Sequence, residues 1–236
     1  MTSNVSGVIF DFNGTLFNDT KFHDRAWNDF AKRYGKVLSP LELELHVQGA
    51  TNKETLEFLF QKKLTPELCV TYSEEKEKIY RKICSQNTDM CILASGAEEF
   101  LNRLKRWGIA CTISTASYLK NVQMYFEMFE LDRWFRMDKI IYDSGIFRGK
   151  PFPDMFLAAA DKINVPINQC YIIEDSLKGV QAAKNAGAAK IIAFSSDDNP
   201  GKFSQIDFVD QIITDFRQID MFTTKKRSQL QVNSSS

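Results

Sequence analysis

Short apolar runs that alternate with helical patterns constrain the fold of this chain most strongly. The runs are rich in Ile and Val and bounded by polar or glycine-containing turns, as buried parallel strands are. They are VIF at 8–10, ACTIS at 110–114, KIIY at 139–142, CYII at 170–173 and KIIAF at 190–194. Helical patterns lie at 96–108, 121–131, 152–164 and 176–187. The alternation predicts an α/β fold with a Rossmann-like parallel sheet core flanked by helices.

The segment 18–87 has no strand-like run, and it predicts an α-helical cap inserted directly after the first strand. FHDRAWNDFAKRYG, from Phe22, places its apolar residues near one helical face. Ser39-Pro40 and Thr65-Pro66 are typical helix starts with proline at the first helical position, and Thr51-x-x-Glu54 fits a capping box. SEEKEKIYRK at 73–82 is typical of a charged helix face.

These patterns divide the chain of 236 residues into three parts. We expect a Rossmann-like core at 1–17 and 88–222 and a helical cap at 18–87. The polar, serine-rich stretch 223–236 predicts a disordered tail. A monomer is the default for this architecture.

Composition narrows the class of partner. The 30 basic and 30 acidic residues cancel, so nothing favours nucleic acid or an anionic membrane as the main partner. The N-terminal stretch lacks the pattern of a signal peptide, and no stretch approaches the ~20 apolar residues of a membrane span. Five scattered cysteines without a C-x-x-C pair indicate reduced thiols in a cytoplasmic protein and argue against a cysteine zinc site.

Polar residues at the predicted strand ends carry the candidate chemistry, because ligands collect at the carboxyl ends of parallel strands. Asp11, Thr115 and the pair Glu174-Asp175 follow three of the strands, and Lys150 follows the predicted strand 139–142. Carboxylates of this kind suit Mg²⁺, which prefers oxygen ligands and phosphate partners. The lysine can neutralise phosphate charge and bind the carboxylates.

Backbone N–H groups after Thr115 and at Gly14 would point at a bound phosphate, as helix starts and backbone nests do. Each residue also has a structural interpretation when taken alone. Thr115 and Ser117 could cap a helix, and Asn13-Gly14 is a common turn dipeptide. His23, on an apolar helix, is nearly as typical of a structural or exposed histidine.

Four segments, in order, resemble the motifs of the haloacid dehalogenase superfamily. They are Phe10-Asp11-Phe12-Asn13-Gly14-Thr15-Leu16, Ser114-Thr115-Ala116-Ser117, Gly149-Lys150-Pro151 with Pro153-Asp154 and Phe156, and Ile173-Glu174-Asp175-Ser176 with Gly179. Each stands at or just after a predicted strand, and the resemblance covers about Val8 to Ile192. Four ordered motifs make it specific.

Within the superfamily, the chain is most similar to the β-phosphoglucomutase-like group with a helical cap. His23-x-x-Ala26-Trp27 matches the first cap helix of that group, and Gln48-Gly49 matches its cap glycine. The group often has an arginine for a distal phosphate where this chain has Asn52. That departure argues against a clamp for a bisphosphate or phosphosugar of the mutase type.

The resemblance implies a Mg²⁺-dependent phosphohydrolase that acts on a small phosphorylated metabolite. Asp11 would attack phosphorus and form an aspartyl-phosphate. Mg²⁺ would bind Asp11, the backbone carbonyl of Asn13 and Asp175, with Glu174 in or next to the coordination sphere. The resemblance further implies that Thr115 and Lys150 hold the transferring phosphoryl group. It places substrate-binding positions at Gly14, His23, Gly49, Asn52, Ala116 and Ser117.

Asn13 is the most informative departure from the superfamily pattern. The family has an aspartate there, which protonates the leaving group and then activates water. Asparagine does neither, and general acid/base help is worth about 10² to 10⁴ in rate. We therefore expect slow hydrolysis of ordinary monoesters, with smaller losses for acyl or aryl phosphates. Asn13 would also be found if the aspartate had been replaced by engineering to trap an inactive enzyme.

Three alternatives remain at this stage. A β-phosphoglucomutase-like phosphomutase needs acid and base in turn, which Asn13 disfavours. A catalytically impaired protein that binds a phosphate ligand would explain both Asn13 and Asn52. A carbon–halogen hydrolase would also use Asp11 as nucleophile, but such enzymes work without the metal that the acidic pair suits.

Overall fold

A five-stranded parallel sheet forms the centre of the molecule. The structure, a computed structural model, describes residues 5–48, 50–195 and 201–219. The strands are β1 (Gly7–Phe10), β2 (Ala110–Ile113), β3 (Cys170–Glu174), β4 (Lys190–Phe194) and β5 (Gln211–Ile213). Their order is β2-β1-β3-β4-β5, and every neighbouring pair is parallel. The α/β fold class predicted from the sequence is confirmed.

In this strand order, the connections between strands change direction between β1 and β3. The chain moves from β1 to β2 on one side and then crosses to β3 on the other. Ligands of such sheets bind outside the carboxyl ends of the strands at this switch point. Asp11 and Glu174 stand at that point, one after β1 and one at the end of β3.

Helices cover both faces of the sheet. They are α5 (Ala97–Trp107), α6 (Leu119–Phe129), α7 (Asp154–Lys162) and α8 (Leu177–Ala186). Val8 and Phe10 of β1 pack in one apolar cluster with α5 and α6, whereas Ile9 packs in the opposite cluster with α7 and α8. Successive side chains of a strand point to opposite faces, so β1 is apolar throughout because both faces are buried.

Two strand assignments made from the sequence differ from the structure. The run 139–142 is not a strand: only Ile141 bridges Ser114 beside β2, through two backbone hydrogen bonds. A 3₁₀ turn, Met137–Lys139, precedes it and leaves too few extended residues for a ladder. The strand β5 was not predicted, because three residues at a sheet edge give almost no periodic signal.

In the described part of the chain, four helices lie between β1 and α5. They are α1 (Thr20–Arg33), the single turn α2 (Pro40–Glu42) with a π-helical continuation (Leu43–Val47), α3 (Asn52–Phe60) and α4 (Pro66–Gln86). The predicted starts are confirmed: Ser39, Thr51 and Thr65 each accept a backbone hydrogen bond as N-caps, and Thr51 forms the expected capping box with Glu54. We call residues of α1 to α4 the cap helices.

The charged stretch 73–82 of α4 is not simply a solvated face. Lys76 is 1% exposed and turns toward α1, and Glu77 is 4% exposed and accepts a hydrogen bond from Asn121 of α6. The Lys76 ammonium lies 5.0 Å from the centre of the Trp27 ring. The position of these two charges inside the protein was not evident from their charged neighbours.

Two sequence predictions fall on residues outside the described ranges: Gly49 and the tail 223–236. The division into core and cap at 17/18 and 87/88 stays a prediction. Among the described residues, no helix combines the length and the apolar character needed to cross a membrane.

Candidate active site at the carboxyl edge of the sheet

The loop after β1 carries the first group of candidate residues. The Asp11 backbone N–H donates to the Ile173 carbonyl at 2.9 Å, which fixes the end of β1 against β3. Gly14 follows with φ of +79°, and a Cβ atom there would lie 2.2 Å from an oxygen of Asp175. Glycine is therefore required by both the backbone conformation and the close approach of this carboxylate.

Three carboxylates and one ammonium group meet beneath this loop. Ligand oxygens of Asp11, Glu174 and Asp175 all lie within 4.8 Å of one another. The Lys150 Nζ lies 2.6 Å from Asp11 Oδ1 and also donates to Glu174 Oε1. The sequence predicted these four side chains to converge, and the structure brings them together.

Glu174 is held in place by the start of α8. Its Oε2 accepts hydrogen bonds from the Ser176 backbone N–H at 2.6 Å and from the Ser176 hydroxyl at 2.9 Å. A Cβ atom at Gly179 would lie 1.9 Å from the Glu174 carboxyl carbon. The glycine of the fourth motif thus makes room for the carboxylate against the first turn of the helix.

The electrostatics of this cluster reflect burial and an excess of carboxylates. Burial raises the pKa of Asp11 well above its usual value, and Glu174 and Asp175 add to the shift. Burial and the Glu174 carboxylate raise the pKa of Asp175 to about 7. Burial alone would lower the pKa of Lys150, but the carboxylates of Asp11 and Glu174 raise it above its usual value. The ammonium groups of Lys150 and Lys202 lower these pKa values, but they do not offset burial and the neighbouring carboxylates.

The donor set fits a hard divalent cation. It consists of buried or half-buried carboxylate oxygens, with no Cys or His among the clustered ligands. Mg²⁺ binds through one or two carboxylates and leaves positions for phosphate oxygens. A cation here would offset the charge excess that raises the pKa values of Asp11 and Asp175.

The side-chain amide of Asn13 is fully engaged. Its Oδ1 accepts from the hydroxyls of Thr115 at 3.0 Å and Ser117 at 2.8 Å. Its Nδ2 donates to Asp19 Oδ2 at 2.6 Å and to the Tyr125 hydroxyl at 2.8 Å. Both amide protons are used, so the side chain is held in one orientation.

Asp19 is a site residue that the sequence analysis missed. Its side chain is fully buried, and besides Asn13 it accepts from the Gly14 backbone N–H at 3.1 Å and from the Tyr80 hydroxyl. It directly precedes α1, where it resembles an ordinary N-cap residue in the sequence, yet its side chain caps nothing there. Only the Asn13 substitution could have suggested a compensating carboxylate nearby.

His23 connects this carboxylate to the buried charges of α4. Its Nε2 lies 3.4 Å from Asp19 Oδ2, and its Nδ1 lies 2.8 Å from Lys76 Nζ. Because an ammonium group only donates, Nδ1 is the acceptor and Nε2 carries the proton. The ring stacks on Tyr80 at a centroid distance of 3.9 Å.

A cavity of about 550 Å³ opens between the sheet edge and the cap helices. That volume lies within the ~300–1,000 Å³ range of small-molecule sites. Every predicted site residue that the structure describes lines it. These are Asp11, Asn13, Gly14, His23, Asn52, Thr115, Ala116, Ser117, Lys150, Glu174 and Asp175. The wall also includes Asp19, Asp24, Trp27 and Lys76, which the sequence analysis did not assign to the site.

Comparisons with known proteins agree with this architecture. The family model described as haloacid dehalogenase-like hydrolase matches residues 8–193. A phosphorylated carbohydrates phosphatase of Thermotoga maritima is 26% identical over 84% of this chain and 89% of its own length. A β-phosphoglucomutase of Bacillus subtilis is 27% identical over 78% and 80%.

A solved structure gives the same result at higher identity. The crystal structure of a HAD hydrolase, family IA, variant 3, from Entamoeba histolytica HM-1:IMSS is 37% identical. The match covers 91% of this chain and 95% of that one, with a TM-score of 0.84. The resemblance inferred from the four motifs is thereby confirmed, and the chain is a hydrolase that belongs to the haloacid dehalogenase-like family, with β-phosphoglucomutase-like relatives.

Proposed function

We propose that this protein is a Mg²⁺-dependent phosphatase of a small phosphorylated metabolite and works through an aspartyl-phosphate at Asp11. One observation carries the proposal: Asp11, Lys150, Glu174 and Asp175 converge at one end of a cavity large enough for a small organic phosphate. Phosphatases among the relatives, including one for phosphorylated carbohydrates, support the substrate class.

Mg²⁺ would be held by the carboxylates of Asp11 and Asp175 and the backbone carbonyl of Asn13, with Glu174 beside them. It would supply positive charge to the phosphoryl oxygens. The predicted cytoplasmic location and monomeric state go with this proposal, and neither is needed for the chemistry.

The first step is attack of an Asp11 carboxylate oxygen on phosphorus. The bond between phosphorus and the leaving oxygen breaks, and the leaving group takes the electron pair. Lys150, 2.6 Å from Asp11 in the structure, offsets charge on the transferring group. The backbone N–H of Ala116 would donate to the phosphoryl oxygens. The Thr115 hydroxyl, which donates to Asn13 Oδ1 in the structure, would turn its proton to them.

In the second step, water attacks the phosphorus of the aspartyl-phosphate. The bond to the Asp11 oxygen breaks, the carboxylate is regenerated and inorganic phosphate leaves. A base must take the proton of the attacking water, and here bulk water takes it. Asn13 cannot do so, and its amide is already bound by four hydrogen-bond partners. Both steps therefore proceed without help from this position, and the enzyme is slow on substrates with poor leaving groups.

A second candidate is a phosphate-ligand binding protein with impaired turnover. The saturated hydrogen bonding of Asn13 favours it, since a side chain held in this way neither gives nor takes a proton. The intact group of Asp11, Lys150 and the acidic pair favours turnover instead. A phosphomutase is disfavoured because it would need a proton donor and then a proton acceptor, and Asn13 is neither. A carbon–halogen hydrolase is disfavoured because it works without a metal and does not need the clustered carboxylates.

The test is phosphate release from an aryl phosphate, acetyl phosphate and a panel of sugar phosphates, with and without Mg²⁺. The matched variant is Asp11→Asn, which keeps the shape of the nucleophile and removes its reactivity. We expect Mg²⁺-dependent release that is lost in Asp11→Asn. Binding of phosphate ligands without any release in either protein would favour the binding-protein alternative.

A further inference from the structure

The cap side of the cavity differs chemically from the end that holds Asp11. Its wall includes Asp24 and Trp27 of α1, Gln48, Asn52 at the start of α3, and Lys76 of α4. We call these five residues the distal wall. Because a phosphate group fills only a small part of about 550 Å³, the rest of a substrate would lie against this wall.

The buried cation of the distal wall is already neutralised. Lys76 Nζ lies 2.9 Å from Glu77 Oε1, and both side chains are at most 5% exposed. Burial would raise the pKa of Glu77, but Lys76, His23 and two amide donors lower it to about 2. Glu77 is thus ionised at neutral pH and offsets the charge of Lys76 from behind the wall.

Asn52 lies at the position where an arginine would bind a distal phosphate, and its side chain hydrogen-bonds to the Glu77 carboxylate. Its Nδ2 donates to Glu77 Oε1 at 2.9 Å, and Asn121 of α6 donates to Glu77 Oε2 at 2.7 Å. An amide donor that completes the shell of Glu77 offers no positive charge to the cavity.

Three more lysines line the cavity. Lys21 is exposed, so water screens its charge. Lys178 lies 3.9 Å from Glu54 Oε2, and Lys202 donates to the Asp175 backbone carbonyl at the other end of the cavity.

Asp24 adds an acceptor to this wall. Its Oδ2 lies 3.4 Å from the Gln48 amide nitrogen, a weak hydrogen bond, and its Oδ1 has no hydrogen-bond partner among the described residues. Oδ1 is itself buried, so Oδ2, with its one weak hydrogen bond beside the Trp27 ring, is the atom that suits a hydroxyl donor on a carbon skeleton. The same carboxylate opposes a second phosphate through like charge.

We infer that the distal wall selects phosphate monoesters whose far end is neutral and rich in hydroxyl groups, and rejects bisphosphates. The inference rests on the proposed function, because it takes the Asp11 end of the cavity as the site of the phosphate that is removed. It assigns Asp24 as a hydroxyl acceptor. The Lys76–Glu77 pair explains why, among the described residues of the distal wall, a second phosphate finds no unpaired buried cation.

Activity on three substrates tests the inference: an aryl phosphate, a hexitol monophosphate and a hexose bisphosphate. We expect kcat/KM for the monophosphate to exceed that for the bisphosphate by about tenfold or more, which corresponds to ~1.4 kcal/mol. Asp24→Ala should lower the ratio of kcat/KM for hexitol phosphate to that for aryl phosphate by about fivefold. The control is Asp29→Ala, an acidic residue of the same helix that does not line the cavity, and it should leave the ratio unchanged.

Gain of function gives an independent arm. Asn52→Arg introduces a guanidinium group at the distal wall and should raise kcat/KM for the bisphosphate relative to the monophosphate by about tenfold. Circular dichroism checks that each variant is folded. A wild-type preference for the bisphosphate, or an unchanged ratio in Asp24→Ala, would overturn the inference.

Binding separates this inference from the proposed function. Calorimetric titration of the Asp11→Asn protein with hexitol monophosphate and hexose bisphosphate in Mg²⁺ needs no turnover. Tighter binding of the monophosphate supports the distal wall as described even if no phosphate is released in any assay. Equal or tighter binding of the bisphosphate contradicts it even if the protein is an active phosphatase.

Discussion

The amide nitrogen of Asn13 donates a 2.6 Å hydrogen bond to the buried carboxylate of Asp19. The two residues are matched, because an amide at 13 supplies the donor that a buried carboxylate at 19 needs. An aspartate at 13 would instead place two carboxylates in contact. Asn13, which departs from the family pattern, and the buried Asp19 carboxylate therefore form one donor–acceptor pair.

The first prediction concerns restoration of the acid/base at position 13. Asn13→Asp alone should give a small gain, because the introduced carboxylate and Asp19 would hold one proton between them rather than deliver it to the leaving group. The double variant Asn13→Asp/Asp19→Asn restores one carboxylate and one amide donor. We expect it to raise kcat/KM for an alkyl phosphate by about 10² or more.

The control for this pair is Asp19→Asn alone, which provides no acid and should give no gain. Steady-state phosphate release from the same alkyl phosphate measures all four proteins. Equal gains in the single variant Asn13→Asp and the double variant would show that Asp19 does not oppose a carboxylate at 13.

The second prediction concerns the leaving group. An aryl phosphate needs no acid in the first step, whereas the later attack of water lacks a base at Asn13. We therefore expect a burst of about one phenolate per protein molecule, followed by slow turnover. Rapid-mixing absorbance measures it. In Asn13→Asp/Asp19→Asn the burst should shrink as the second step accelerates, and a linear time course in the native sequence would contradict this order of barriers.

The third prediction concerns pH and metal binding. The pKa of Asp175 is raised to about 7 by burial and Glu174, so the metal-free folded protein binds a proton there that the unfolded chain releases near pH 4. Stability of the metal-free protein should accordingly fall as pH rises from about 4 to 7. Mg²⁺ replaces that proton, so the increase in Tm on adding Mg²⁺ should be larger at pH 8 than at pH 6.

Thermal unfolding with Mg²⁺ and with a chelator measures this difference. Asp175→Asn serves as the control, since it removes the titrating carboxyl and should flatten the dependence on pH. A Mg²⁺ effect of the same size at both pH values in the native sequence would argue against the acidic cluster as the metal site.

The fourth prediction concerns the buried Lys76–Glu77 pair. Glu77→Ala leaves the Lys76 ammonium buried without its counter-ion, and we expect a loss of about 3–5 kcal/mol in the free energy of unfolding. Urea denaturation measures it. Asp138→Ala breaks an ion pair with Arg136 at the surface and should change the free energy of unfolding very little. Similar effects of the two variants would mean that the buried pair does not stabilise the cap helices.

Much of the site could be predicted from the sequence because it stands at strand ends. Asp11, Thr115 and Glu174 follow apolar runs whose type and direction are readable, and parallel strands bring such positions to one edge. Lys150 was placed correctly although the run before it forms only a bridge at Ile141, because the motif rather than the strand identified it.

The cap side of the site could not be predicted in the same way. Lys76 and Glu77 stand in a stretch of mostly charged residues, and helical periodicity does not tell which charges turn inward when the opposite face is charged as well. Asp19 had the appearance of a helix cap. Their roles come from contacts that α4 makes with α1 and with Asp19 just before it, such as Lys76 with His23 and Tyr80 with Asp19. These segments are distant in the chain.

The central claim is that Asp11 becomes phosphorylated. The most direct measurement mixes the protein with acetyl phosphate and Mg²⁺, quenches it in acid within milliseconds and maps the phosphoryl group by peptide mass spectrometry. We predict a phosphoryl group on the peptide carrying Asp11, which is absent from Asp11→Asn and from samples with a chelator. Phosphate release that proceeds without this adduct, or an adduct that persists in Asp11→Asn, would contradict it.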